Sequence, residues 1–140
     1  MKKLSGIFLA IILAFALPAL AADYRYVKQD TFKQWLEGGK KMIIVDIQVP
    51  AEFGKRHFKG AVETGAYPAK TEEERRKLDK TLAEINASKD EVVIVCPRGG
   101  GGAKNSYDYL NAKGVDEGRI YILEKGMEGW PYPEMCAVGR

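Results

Sequence analysis

Three short apolar runs constrain this chain most: MIIVDI (42–47), EVVIV (91–95) and RIYIL (119–123). Each is short for a helix and rich in β-branched residues, so each reads as a strand. None alternates apolar with polar residues, which is the pattern of strands buried on both faces. Such strands need covering layers on both sides, and the intervening sequence supplies them. Thr71-Glu72-Glu73-Glu74 is a capping box, with Leu78, Leu82 and Ile85 behind it at helical spacing. Ala103 to Lys113 reads as a second helix, stopped by Gly114. The alternation of strand and helix predicts an α/β fold with a central parallel sheet flanked by helices.

The flanking segments extend this pattern. YRYV (24–27) reads as an edge strand, and Asp30 as the cap of a helix through Phe32, Trp35 and Leu36 that Gly38-Gly39 stops. PAEFGKRHF (50–58) reads as a short helix or turn, GAV (60–62) as a short strand, and Gly126 to Trp130 as a turn. The aromatic stretch WPYP (130–133) is read as cover for the sheet edge, with the lining of a donor pocket as the alternative, and a short tail is expected from about residue 131.

The N-terminus carries a different signal. Lys2 and Lys3 precede an apolar run from Leu4 to Leu17, Pro18 breaks it, and Ala19-Leu20-Ala21 gives a small-x-small cleavage pattern. Residues 1–21 are therefore expected to be a signal peptide, and residues 22–140 one exported, periplasmic domain. An uncleaved anchor is the alternative, although the run is shorter than the about 20 residues of a full span. Without Lys2 and Lys3 the tally is 20 basic against 19 acidic residues, no footprint for nucleic acid or an anionic membrane. One histidine and two distant cysteines make no zinc set, and no other metal or cofactor is implied.

The chemistry concentrates where the second apolar run ends, in VVIVCPRGGGGAKNSYDYL (92–110). In open α/β sheets ligands bind at the carboxyl ends of strands, which is where Cys96 stands. Only a thiolate is a nucleophile, and lowering a thiol from about 8.5 to about 6.5 takes about 2.7 kcal/mol. A helix N-terminus supplies up to about 2 kcal/mol, so main-chain N–H groups must supply the rest, with Arg98 if it points inward. Glycine lets a main chain curl around an anion. Pro97 has no N–H, so the cradle is expected to run from Arg98 through Gly99, Gly100, Gly101 and Gly102 to Ala103. A nucleotide P-loop is excluded, because Gly102 is followed by Ala103-Lys104-Asn105 and not by Lys-Ser/Thr.

Taken in order, the chain resembles the rhodanese-homology family. VDIQVPAEFGKRHFKGAV (45–62) resembles its opening motif, VVIVCPRGGGGA its cysteine loop, and YILEKGMEGWP (121–131) its closing motif. The resemblance implies a three-layer fold with a parallel sheet of about five strands, and sulfur transfer through a cysteine persulfide. It makes Cys96 the sulfur-carrying nucleophile and residues 98–102 the loop that cradles the sulfur. Asp46 and Glu52 match acidic positions that brace the active-site side. Gly126 and Trp130 match the closing motif, and His57, Gly60 and Ala61 a turn. Gln48 stands where the family has an arginine, Lys125 replaces the first glycine of the closing pair, and Gly101 and Gly102 occupy places where relatives carry Arg and Ser. The loop is about one residue longer than the family's usual one. That length hints at the related phosphatases and arsenate reductases, but no arginine stands at the loop's end to clamp an oxyanion.

The expected function is that of a thiosulfate sulfurtransferase-like enzyme. Sulfane sulfur would move from a small donor such as thiosulfate or polysulfide, through a Cys96 persulfide, to a thiol or cyanide acceptor. A protein acceptor is an alternative partner. The rival readings are a persulfide carrier or partner-binding module without turnover, thiol–disulfide chemistry with Cys136 as resolving thiol, and phosphatase or arsenate-reductase activity.

Overall fold

In the computed structural model, which describes residues 23–139, the apolar runs stand side by side. The leader read in residues 1–21 lies outside the described residues. Strands β1 (Tyr26–Val27), β2 (Met42–Asp46), β4 (Val62–Glu63), β5 (Glu91–Val95) and β6 (Ile120–Leu123) form one sheet in the order β1-β6-β5-β2-β4. Every pairing in it is parallel, and β2 and β5 match from Met42 opposite Glu91 to Asp46 opposite Val95. The most apolar strands are thus central, where both faces must be covered.

Alternation along these strands sorts the core into two layers. Ile43, Val45, Ile47, Val92, Ile94 and Ile122 pack with Ala103, Tyr107 and Leu110 of helix α5 (Gly101–Ala112) and with Leu78 and Ile85. Ile44, Val93, Val95 and Leu123 face the other way, onto Phe32 of helix α1 (Gln29–Glu37), Phe58, Met127 and Trp130. Each such fully buried side chain stabilises the fold by about 1.5–3 kcal/mol. The parallel α/β expectation therefore holds, with a layer of structure on each side of the sheet.

Several elements differ from expectation. Helix α1 is entered through extended Lys28, whose side chain makes no cap, so Asp30 lies inside the first turn, where its charge suits the helix dipole. Helix α2 (Pro50–Lys55) begins on Pro50 and is followed by a strand, β3 (His57–Phe58), before the predicted 60–62 strand, which forms slightly later as β4. The Thr71 capping box is present and starts helix α3 (Glu72–Arg76). The helix predicted through Ile85 is split by a 3-10 turn at Lys77–Thr81 before α4 (Leu82–Asn86). There the Thr81 hydroxyl donates to the Leu78 carbonyl at 2.7 Å, a local bond that competes with regular helix. The segment read as a tail is folded: a 3-10 turn, Pro133–Met135, leads into β7 (Cys136–Ala137), which pairs antiparallel with β3. Among the described residues no helix is long and apolar enough to cross a membrane.

Candidate active site

Cys96 follows β5 directly, and strand alternation turns its side chain into the α5 layer, together with Val92 and Ile94. The residue is only 2% exposed. The Gly99 N–H donates to its sulfur at 2.7 Å, and the N–H groups of Arg98, Gly100 and Ala103 also act on it. Gly99 makes this turn at φ +74°, and a Cβ there would lie 3.0 Å from the Lys125 nitrogen and 3.1 Å from the Leu123 oxygen. Both the left-handed backbone and the close approach require glycine.

Helix α5 starts two residues earlier than expected, at Gly101, with Gly100 as its N-cap and no side-chain cap. The turn around the sulfur is therefore Pro97 to Gly100, while Gly101 and Gly102 are the first helical residues. The cup is accordingly formed half by a turn and half by a helix N-terminus, whose first N–H groups have no intrahelical acceptor. A Cβ at Gly100 or Gly101 would meet nothing within 4 Å, whereas one at Gly102 would press on Ile47 and Pro68. Arg98 is exposed.

The electrostatics correct the expectation of a lowered thiol. Burial pushes the Cys96 thiol up, and the loop N–H groups pull it down by less. Burial favours the uncharged sulfur, while the N–H groups around it favour an anion.

The cup rests on the closing turn. The Met127 N–H donates to the Cys96 carbonyl and the Glu128 N–H to the Pro97 carbonyl, both at 2.8 Å. Gly126, at φ +62°, lies so close beneath the loop that a Cβ would stand 2.3 Å from the Cys96 oxygen and 2.6 Å from the Arg98 nitrogen. Trp130 is buried in the α1 layer, edge-on to Phe32, Phe58 and Tyr132, and donates its indole N–H to the Tyr132 carbonyl at 2.9 Å. It anchors the turn and does not line the cup. The stretch 130–133 is cover, as expected.

The two acidic positions diverge. Asp46, at the end of β2, is fully buried and points into the α1 layer, away from the thiol. It accepts from the Gln48 N–H at 2.8 Å and from the Gln48 amide at 3.0 Å, and that amide also donates to the Arg56 carbonyl at 3.1 Å. With a neutral amide where the family has an arginine, burial pushes Asp46 up to about 6. Glu52 does not brace the site: it is exposed and pairs with Lys55 at 2.9 Å. His57 stacks on Phe53 with ring centroids 4.0 Å apart and bonds the Phe53 carbonyl through Nδ1, a turn role.

Cys136 and Cys96 are both free thiols that the structure keeps apart. Cys96 belongs to the α5 layer, and half-buried Cys136 packs in the α1 layer, 4.0 Å from the Met127 sulfur. They belong to different layers of the core, and no disulfide joins them. Sequence reasoning missed Arg56, whose guanidinium donates to the Met127 carbonyl at 2.8 Å. Its partner is a main-chain oxygen, which leaves no residue-type signal to find.

Comparison with known proteins adds the following. The family model of the rhodanese-like domain matches residues 28–131. Among solved structures the chain is similar to a rhodanese-like domain protein from Staphylococcus aureus, at 25% identity over 83% of this chain and 99% of that one, with a TM-score of 0.57. It is similar to a thiosulfate sulfurtransferase from Pseudomonas aeruginosa, at 17% identity over 89% of this chain and 22% of that one, with a TM-score of 0.65. It is also similar to an As-Sb reductase from Leishmania major, at 21% identity over 83% and 86%, with a TM-score of 0.59. The last two likenesses show a common fold. No match is found among curated proteins.

Proposed function

The chain belongs to the rhodanese-like domain family, and from that premise we propose that it is a sulfurtransferase working through a Cys96 persulfide. The observation that carries the reading is the cup at the end of β5: the Gly99 N–H donates to the Cys96 sulfur at 2.7 Å where the chain turns into the N-terminus of α5, and the N–H groups of Arg98, Gly100 and Ala103 favour its anion. The Cys96 thiolate attacks the sulfane sulfur of thiosulfate, the donor S–S bond breaks, and sulfite leaves with the electron pair. With a polysulfide donor, a shorter polysulfide leaves. An acceptor thiolate then attacks the outer sulfur, takes it as its own persulfide, and returns Cys96 as thiolate; cyanide would leave as thiocyanate. The step needs no redox cofactor. The main-chain donors hold the terminal sulfur anion, and the glycines at 100 and 101 leave the rim without side chains for donor and acceptor to pass in turn. The leader in residues 1–21 would deliver this activity to the periplasm.

One observation favours a second reading, a carrier that holds sulfur without turning over. Burial pushes the Cys96 thiol up, and a smaller thiolate fraction would slow the first attack on a small donor. Oxyanion chemistry ranks lower, because the cup's rim is glycine and Arg98 is exposed. Steady-state assays with thiosulfate and with polysulfide, toward cyanide and a small thiol, separate the readings. Sulfurtransferase activity predicts turnover that Cys96→Ser abolishes. Stoichiometric sulfur loading without turnover establishes the carrier, and hydrolysis of a phosphomonoester or reduction of arsenate at a higher rate overturns both.

A further inference from the structure

Two peptide groups connect the Arg56 guanidinium to the Cys96 cup. Arg56 donates to the Met127 carbonyl at 2.8 Å. That carbonyl shares its peptide group with the Glu128 N–H, which donates to the Pro97 carbonyl at 2.8 Å. The Pro97 carbonyl in turn shares its peptide group with the Arg98 N–H, which neighbours the Gly99 N–H bonded to the Cys96 sulfur and favours that sulfur's anion. Each link therefore passes from the oxygen of one peptide to the hydrogen of the same peptide. A cation bound to a carbonyl oxygen draws electron density from that peptide and strengthens its N–H as a donor, and hydrogen-bonded chains reinforce one another in this way.

The loop itself offers no comparable charge. Its rim is glycine at 99–102, and Arg98 is exposed. Arg56 is half-buried, and Cys136 of β7 also feels its charge together with those of Glu134 and Asp46.

We infer that Arg56 is a positioning residue for the Cys96 sulfur, polarising a relay through the Met127–Glu128 and Pro97–Arg98 peptides so that the loop N–H groups favour a sulfur anion. The inference rests on Cys96 being the working thiol, and its test uses no sulfur donor. The thiolate of Cys96 is titrated by its absorbance near 240 nm in a Cys136→Ala background, each protein being measured against its Cys96→Ser counterpart to cancel tyrosine. Arg56→Gln, which keeps a donor and removes the charge, should raise the Cys96 midpoint by about half a unit, or about threefold in thiolate below the midpoint. Arg56→Lys should restore most of that shift. An unchanged midpoint in a folded Arg56→Gln protein overturns the relay. Equal shifts in Arg56→Gln and Arg56→Lys also overturn it, because the effect would then be one of packing and not of charge. A failure to load sulfur with the predicted titrations intact would instead count against the proposed function.

Discussion

Asp46 should make the fold's stability fall as pH rises, an unusual direction for a carboxylate. Its folded value of about 6 lies above the about 3.9 of an unfolded chain, so the folded state binds the proton more tightly. Between those values the native state holds more protons than the unfolded one, and stability declines with rising pH. A gap of about two units is worth about 3 kcal/mol, present in full below about pH 4 and lost once pH passes about 6. Asp46→Asn removes the titration. The new amide must meet the Gln48 amide, which also serves the Arg56 carbonyl, so one hydrogen bond is lost at a cost of about 1 kcal/mol. The Asn protein should therefore be about 2 kcal/mol more stable than the parent at pH 7 and slightly less stable at pH 4. Urea denaturation of both proteins at pH 4, 5, 6 and 7 reads the difference directly, and contributions from other groups cancel. A difference that stays constant with pH, or a parent that gains on the variant as pH rises, would refute the reasoning.

Other perturbations probe the cup. Gly126→Ala places a Cβ 2.3 Å from the Cys96 oxygen at a left-handed φ, so it should cost at least about 3 kcal/mol in denaturant and disrupt sulfur loading. Gly101→Arg enters open space in the first helical turn and should raise stability by about 0.5 kcal/mol; a fall in Tm would show that the rim is packed. Cys136→Ser should leave the yield and lifetime of the Cys96 persulfide unchanged, because the two thiols lie in different layers, and a persulfide stabilised by the loss of Cys136 would contradict that placement.

The parallel sheet was legible because its signal is dense: the runs at 42–47, 91–95 and 119–123 have only one economical arrangement, buried on both faces. Thr71 and Glu74 likewise announced a helix start through side chains that bond locally. What escaped was main chain. The early start of α5 depends on glycines that carry no helical signal, and the support of the Cys96 and Pro97 carbonyls comes from Met127 and Glu128 N–H groups that any residue type would offer. The β3–β7 ribbon is two residues a side, below the length at which periodicity speaks, so the C-terminal segment read as loose. Family matching found Cys96, Trp130 and Asp46 but not their facing: the period of two along β2 and β5 sends Asp46 to one layer and Cys96 to the other. Burial of Cys96 reversed the expected direction of its thiol for the same reason, since the run that ends in it is all core.

If the glycine-rimmed cup carries sulfur on Cys96, intact-mass measurement of the protein after brief treatment with thiosulfate or polysulfide will register it. The expected product carries the mass of one added sulfur, mapped to Cys96 by peptide fragmentation, unaffected by Cys136→Ser, absent in Cys96→Ser, and removed by cyanide or a small thiol. A folded protein that takes up no sulfur on Cys96 from either donor, or takes it up only on Cys136, would rule out Cys96 as the sulfur carrier.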